Sequence, residues 1–157
     1  MTLLLLTLLA QSPQLAESVR THALGCAEKN ELACKQLCDR FDLWLLSGPD
    51  AMDPSTHADV VAKAWPKSAR CTGAQQLWRG RAKLAVGHFA KAYDELDATE
   101  EDKVLAAAGA MLASRSLAKK ADASAWAKKF LEALEDSETI RGHDVAGAKL
   151  VAKSLAR

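Results

Sequence analysis

Four cysteines, Cys26, Cys34, Cys38 and Cys71, are the side chains of this sequence best suited to chemistry. Thiols form disulfides, bind zinc as thiolates or act as nucleophiles. Seven residues separate Cys26 from Cys34, and Cys38 follows Cys34 after one helical turn. Four cysteines allow three disulfide pairings, so their number alone leaves the connectivity open.

A metal or redox site is the alternative to disulfides. Zinc sites usually have C-x₂₋₄-C pairs at both ends of the motif. Here Cys34 and Cys38 form one such pair. His22 and Cys26 lie one turn apart on the preceding helix. A thiol-dependent metal-binding or redox accessory protein using Cys26, Cys34, Cys38 and Cys71 is therefore the alternative function. The sequence has no C-x-x-C motif for redox catalysis.

No other group of residues forms a catalytic, cofactor or metal site. A glycine-rich phosphate loop and a G-x-S-x-G motif are both absent. His57, His88 and His143 each stand near an expected helix start, turn or break, where surface or capping roles are usual. We therefore predict a protein that is not an enzyme and has no cofactor.

Composition predicts an all-α fold. The chain of 157 residues contains 31 Ala and 23 Leu but only 7 Val and 1 Ile. Ala and Leu favour helices, whereas the β-branched residues that favour strands are scarce. The four tryptophans fall one to a helix, so we expect each to pack in the core or between helices. Their positions are Trp44, Trp65, Trp78 and Trp126.

Net charge argues against two classes of partner. With 21 basic and 20 acidic side chains the net charge is +1, which gives no overall field to attract nucleic acid or an anionic membrane. Met1–Ala10 is apolar but too short to span a bilayer. It resembles the apolar part of a secretory signal. We therefore expect a signal at residues 1–10 and one all-α domain at residues 11–157. If residues 1–10 instead begin the first helix, a cytoplasmic location is the alternative.

Helix signals divide the chain into seven or eight helices joined by short links. Asn30 is placed to cap one helix, and Thr99 with Asp102 resembles a capping box opening another. The stretch Gly73–Leu96 predicts a helix, a break at Gly87 and a second helix. Such links make successive helices antiparallel neighbours.

Self-comparison at a spacing of 34 residues gives a partial match. Residues Gly87–Tyr93 are similar to the turn and second-helix start of a tetratricopeptide repeat, with Gly80 at that motif's small position. The resemblance covers residues 73–134. It implies antiparallel helix pairs stacked as a short solenoid that binds a protein or peptide in a groove. The matched pairs are Gly80 with Ser114, Arg81 with Arg115, Gly87 with Ala121, and Leu96 with Phe130.

The cysteine context GCAEKNELAC extends the resemblance to the cysteine-rich, SEL-type branch of tetratricopeptide-like repeats, which occurs in secreted bacterial proteins. In that branch a disulfide with this separation staples one helix end to the next helix start. The resemblance therefore implies the pairs Cys26–Cys34 and Cys38–Cys71. It also implies a periplasmic or secreted location, where disulfides persist.

Partner binding is assigned to two arginines by the same resemblance. Arg81 and Arg115 are equivalent under the 34-residue shift, and the corresponding repeat positions face the concave groove. Two guanidinium groups on one face can bind a carboxylate or an acidic segment, and Lys119 extends the strip. A solvated charged face is the alternative interpretation.

Overall fold

The computed structural model describes residues 13–49 and 57–157, and the predicted signal at residues 1–10 lies outside them. The described residues form eight α-helices and one short β-hairpin, so the all-α prediction is confirmed. The hairpin pairs β1 (Thr139–Ile140) with β2 (His143–Asp144) and stands between the last two helices. In chain order the helices are α1 (Pro13–Ala27), α2 (Glu31–Leu46), α3 (Ala58–Val61), α4 (Ala69–Trp78), α5 (Ala82–Asp94), α6 (Glu100–Ser116), α7 (Lys120–Leu134) and α8 (Ala146–Leu155).

Side-chain caps fix the starts of three helices. The Asn30 carboxamide oxygen accepts the backbone N–H of Ala33 at 3.1 Å at the start of α2. A complete capping box opens α6, because Thr99 and Asp102 each accept the other's backbone N–H at 3.1 Å. Both caps agree with the sequence prediction. Ser68 caps α4 in the same way. The helix therefore begins at Ala69, before the start at Gly73 that the sequence indicated.

The helix break in the middle of the chain is at Gly80, and the prediction of a break at Gly87 is wrong. Gly87 lies inside α5, where an isolated glycine is tolerated. Gly80 follows α4 with φ +78, the left-handed conformation that often ends helices. The next backbone N–H, on Arg81, bonds the carbonyl of Gln76 at 2.8 Å and closes the turn.

The same turn recurs between α6 and α7. Ala118 has φ 56 after the end of α6, and the N–H of Lys119 bonds the carbonyl of Ser114 at 3.0 Å. Gly80 and Ala118 differ by 118 − 80 = 38 positions. The two helix pairs therefore correspond at a spacing of 38 residues, whereas a 34-residue shift places Gly80 on a residue inside α6. In the described part of the chain, Lys119 and not Arg115 is the turn equivalent of Arg81.

Neighbouring helices stack in pairs around α6. The pairs α1–α2, α4–α5 and α6–α7 each pack closely, and α6 also contacts α2, α4 and α5. Every residue of α6 from Val104 to Ser114 is buried. This arrangement confirms the prediction of stacked antiparallel pairs, with α6 at the centre of the core.

Phe89 of α5 fills the space between two glycines. Its fully buried ring lies 3.0 Å from the point where a Cβ of Gly73 in α4 would stand, and it would overlap a Cβ of Gly109 in α6. Missing side chains on α4 and α6 therefore let three helices close around one aromatic ring. Gly80, which the sequence comparison placed at the small position of the repeat motif, lies instead in the turn between α4 and α5.

We expect Gly109→Ala to lower the free energy of unfolding by about 1 to 3 kcal/mol, because the added methyl group overlaps the Phe89 ring in a filled core. Gly87→Ala is the matched control. A Cβ at Gly87 meets no atom within 4 Å, and alanine favours a helix by about 0.5 to 1 kcal/mol. Urea unfolding of both variants measures the effects. If both substitutions stabilised the protein, the packing around Phe89 would be contradicted.

Candidate functional site

A groove lies beside both disulfides, at the junction of α1, α2 and the segment that enters α4. Its volume is about 630 Å³. It is lined by the end of α1 and the α1–α2 link, by the first half of α2, by residues 65–70 and by Arg141 of the hairpin. The lining residues that matter below are Lys29, Lys35, Asp39, Trp65, Arg70 and Arg141.

The disulfides pair Cys26 with Cys34 and Cys38 with Cys71, as the resemblance implied. Their Cα atoms are 4.5 Å and 5.3 Å apart. The first joins the end of α1 to the start of α2, and the second joins α2 to α4. Because no cysteine is free, none offers a thiolate to a metal in this state. The residues at 13–49 and 57–157 contain no group of three or more possible metal ligands.

Two carboxylates and two arginines form a charge network behind the groove. Arg70 of α4 donates through Nε and Nη2 to the two carboxylate oxygens of Asp42, both at 3.2 Å, and through Nη1 to Asp102 at 2.7 Å. Arg141, between the hairpin strands, donates to Asp102 at 2.6 Å and lies 3.7 Å from Asp42. The Asp42 side chain is only 3% exposed and that of Arg70 13%. The network therefore connects α2, α4, α6 and the hairpin.

The two carboxyl groups differ in acidity. Burial raises the pKa of Asp42 to about 6, because the loss of solvent outweighs the attraction of Arg70 and Arg141. Burial also acts to raise the pKa of Asp102, but hydrogen bonds from Thr99 and the charges of the two arginines hold that pKa below its usual value. Asp42 is thus the network member that titrates nearest neutrality.

This raised pKa predicts a pH-dependent stability. Between the ordinary pKa of 3.8 and the folded pKa of about 6, native Asp42 holds a proton that the unfolded chain has released. The free energy of unfolding should therefore gain about 1 to 3 kcal/mol from Asp42 as the pH falls from about 6.5 to about 4. Urea unfolding across this range, compared with Asp42→Asn, measures the contribution. Identical pH profiles for the two proteins would contradict it.

The rim of the groove carries an exposed aromatic ring and several lysines. Trp65 is 74% exposed, so the prediction that all four tryptophans pack inside is wrong for this one. Pro66 follows it, and Lys67 forms a 3.2 Å ion pair with Glu31 on the opposite wall. Trp65 also lies outside any helix, because α3 ends at Val61 and residues 62–67 form a connecting segment along the rim.

The predicted partner-binding residues occupy a different part of the surface. Arg81 and Lys119 are exposed at the two equivalent turns. Arg81 also lines a more open recess of about 550 Å³ together with Ser116 and Leu117. Arg115 is half-buried in the last turn of α6, where its guanidinium donates to the carbonyl of Pro49. The structure thus brings Arg81 and Lys119 to corresponding places and ties Arg115 to the end of α2.

Comparison with known proteins does not assign the chain to a family. The chain matches no protein-family model, no curated protein and no solved structure. Among the described residues, no helix combines the length and apolar character needed to cross a bilayer. The groove and its charges are therefore the features from which a function is argued.

Sequence reasoning missed the groove because its walls are distant in the chain. Arg70 lies 28 residues from Asp42 and 32 from Asp102, and no local pattern relates these positions. Asp102 was recognised only as a capping residue. One usable signal was present: Pro66 directly after Trp65 argues against a helix there, and a tryptophan outside a helix is less constrained to pack between helices.

Proposed function

We propose that this protein is a non-catalytic, exported binding module that holds a segment of another protein in the disulfide-flanked groove. The observation that carries the proposal is the groove itself, with an exposed tryptophan on its rim and walls joined by two disulfides. Exposed aromatic side chains beside concave surfaces are typical anchors for binding partners.

Rigidity supports this function. The Cys26–Cys34 bond fixes the α1–α2 link, and the Cys38–Cys71 bond fixes the position of α4 against α2. Arg70 lies on α4 and is held by Asp42 of α2. A groove whose walls are already ordered loses little conformational entropy when a partner binds. Disulfides also persist in oxidising compartments, which supports a periplasmic or secreted location.

The stacked helix pairs support a binding role independently of the groove. The pairs α4–α5 and α6–α7 repeat one turn at a spacing of 38 residues, and stacked helical repeats present extended binding surfaces. Under this proposal, Arg81 and Lys119 at the equivalent turns offer a second contact surface, whereas Arg115 is held by the carbonyl of Pro49. The metal-binding or redox alternative is not favoured by any observation, because all four cysteines are in disulfides.

A display selection tests the proposal. A random peptide library would be selected against the oxidised protein, and enriched peptides would be assayed against three variants. We expect Trp65→Ala to weaken their binding by about tenfold or more, while Leu150→Ala, at an exposed leucine on α8, leaves it unchanged. The double variant Arg81→Glu/Lys119→Glu reports on the second surface. A selection without enrichment, or peptides that bind Trp65→Ala as well as wild type, would overturn the groove proposal.

A further inference from the structure

We propose that the segment bound in the groove is acidic, with one apolar side chain that packs beside Trp65 and carboxylates that face the lysines. This inference rests on the proposed binding function and specifies its partner. The occupant is a peptide segment of another protein, because a groove of about 630 Å³ lined by charged residues and one exposed tryptophan is too small for a folded domain.

The charge of the lining favours an acidic occupant. Five cations and two acids, Glu31 and Asp39, line the groove, and the charges of Arg70 and Arg141 are balanced by Asp42 and Asp102. Glu31 is already in an exposed pair with Lys67. Among the described residues, no ion pair or side-chain hydrogen bond holds Lys29 or Lys35, and both side chains are exposed. The five cations are Lys29, Lys35, Lys67, Arg70 and Arg141.

The arginines behind the lysines add to this preference. Arg70 has five N–H donors, and three hydrogen bonds to Asp42 and Asp102 use only part of them. Arg141 is held at the same place by Asp102. Because the two carboxylates already fix the guanidinium groups, an incoming carboxylate would meet donors that need little reorganisation.

The apolar part of the site is suited to one apolar side chain of the partner and not to a broad apolar face. Trp65 and Pro66 form one wall, and the disulfide residues Cys34 and Cys38 stand on another. A groove of about 630 Å³ accommodates a large side chain with adjoining backbone. A membrane surface, in contrast, would need a wide exposed apolar face.

Strain at Lys29 provides a substitution that separates charge from folding. Lys29 has φ 63, the left-handed conformation that glycine adopts without cost. Lys29→Gly therefore removes a groove cation while relieving backbone strain. Lys35→Gln removes a second groove cation, at an exposed position of a helix. The matched control is Lys128→Gln/Lys153→Gln, which removes two exposed lysines from α7 and α8.

The test uses fluorescein-labelled peptides on the oxidised, full chain, measured by anisotropy. The first probe has glutamates around one central phenylalanine; its partners replace the glutamates by lysines or the phenylalanine by alanine. We expect the first probe to bind at least about tenfold more tightly than either partner. Lys29→Gly/Lys35→Gln should weaken it about tenfold and reduce its salt dependence, and the control should not.

Distinct outcomes separate this inference from the proposed function. Equal binding of acidic and basic probes, or an unchanged affinity in Lys29→Gly/Lys35→Gln, would overturn the acidic partner. If the library yields groove peptides without acidic residues, the binding function stands and the acidic partner falls. If no peptide binds, both fail. The last measurement tests binding of the protein to phosphatidylserine vesicles. If the vesicles bind and the acidic probe does not, the groove would be assigned to a membrane surface and the inference would be overturned.

Discussion

At a pH of about 7.5, Arg70→Met is expected to lower the free energy of unfolding by about 3 to 5 kcal/mol. The reason is that Asp42, whose side chain is 3% exposed, would lose two hydrogen bonds at 3.2 Å. It must then either stay charged while buried or take up a proton at a pH well above its ordinary pKa of 3.8, and both cost free energy. Arg141 remains 3.7 Å away and compensates only in part. Methionine retains an unbranched apolar stem like that of arginine, so the measured loss reports mainly on the guanidinium group with its charge and hydrogen bonds.

The same variant should be less destabilised in mild acid. Asp42 takes up a proton near its pKa of about 6, and a neutral carboxyl group no longer needs the missing guanidinium. Urea unfolding at a pH of about 5 should therefore show a smaller difference from wild type than at about 7.5. An equal loss at both values would argue that Arg70 contributes by packing alone.

Arg20→Met is the control for removing a cation from a surface ion pair. Arg20 lies 3.2 Å from Glu17, with the two side chains 41% and 60% exposed. Such pairs contribute little, so we expect a change below about 0.5 kcal/mol. A loss at Arg20 comparable to that at Arg70 would remove the distinction between the buried network and the surface.

Removal of the Cys38–Cys71 disulfide, as Cys38→Ala/Cys71→Ala, is expected to cost about 4 kcal/mol. The bond closes a loop with a sequence separation of 33, and its loss restores that entropy to the unfolded chain. It also frees α4 from α2, next to the groove. Urea unfolding under oxidising conditions measures the loss, with thiol titration to establish that the other bond is intact.

The other disulfide provides a matched comparison. Cys26 and Cys34 are separated by only 8 positions, so the corresponding double alanine variant should lose about 2.5 kcal/mol. The order of the two losses is the decisive result. If the short loop proved the more stabilising, native-state contacts of Cys26, which is fully buried, and not loop entropy would dominate.

The parts of the fold that sequence predicted correctly depend on local chemistry. Asn30 and Thr99 cap helices through residues three positions away, and such spacing is readable in any sequence. The high content of Ala and Leu likewise predicted the all-α fold without any knowledge of distant contacts. The disulfide pairs were implied by a resemblance and are present in the structure.

The parts that failed depend on which contacts form at a distance. Gly80 and Gly87 both lie in a stretch of sequence with helix-forming composition, and that composition does not tell which glycine ends the helix. In the structure Gly80 ends the helix with φ +78, and the following helix α5 packs Phe89 against Gly73 and Gly109. Arg141 reaches Asp102 across 39 residues of chain. Only the folded arrangement brings such positions together.

Burial of the whole middle of α6 has a consequence for the motions of the molecule. Backbone amides between Val104 and Ser114 reach water only when the surrounding helices separate, so their hydrogen exchange should report the complete unfolding of the domain. The last helix α8 leaves Leu150 exposed at one edge of the stack and buries only Ala148 and Ala152, so we expect its amides to exchange faster than those of α6. Exchange rates along the chain should therefore fall steadily from α8 inward to α6.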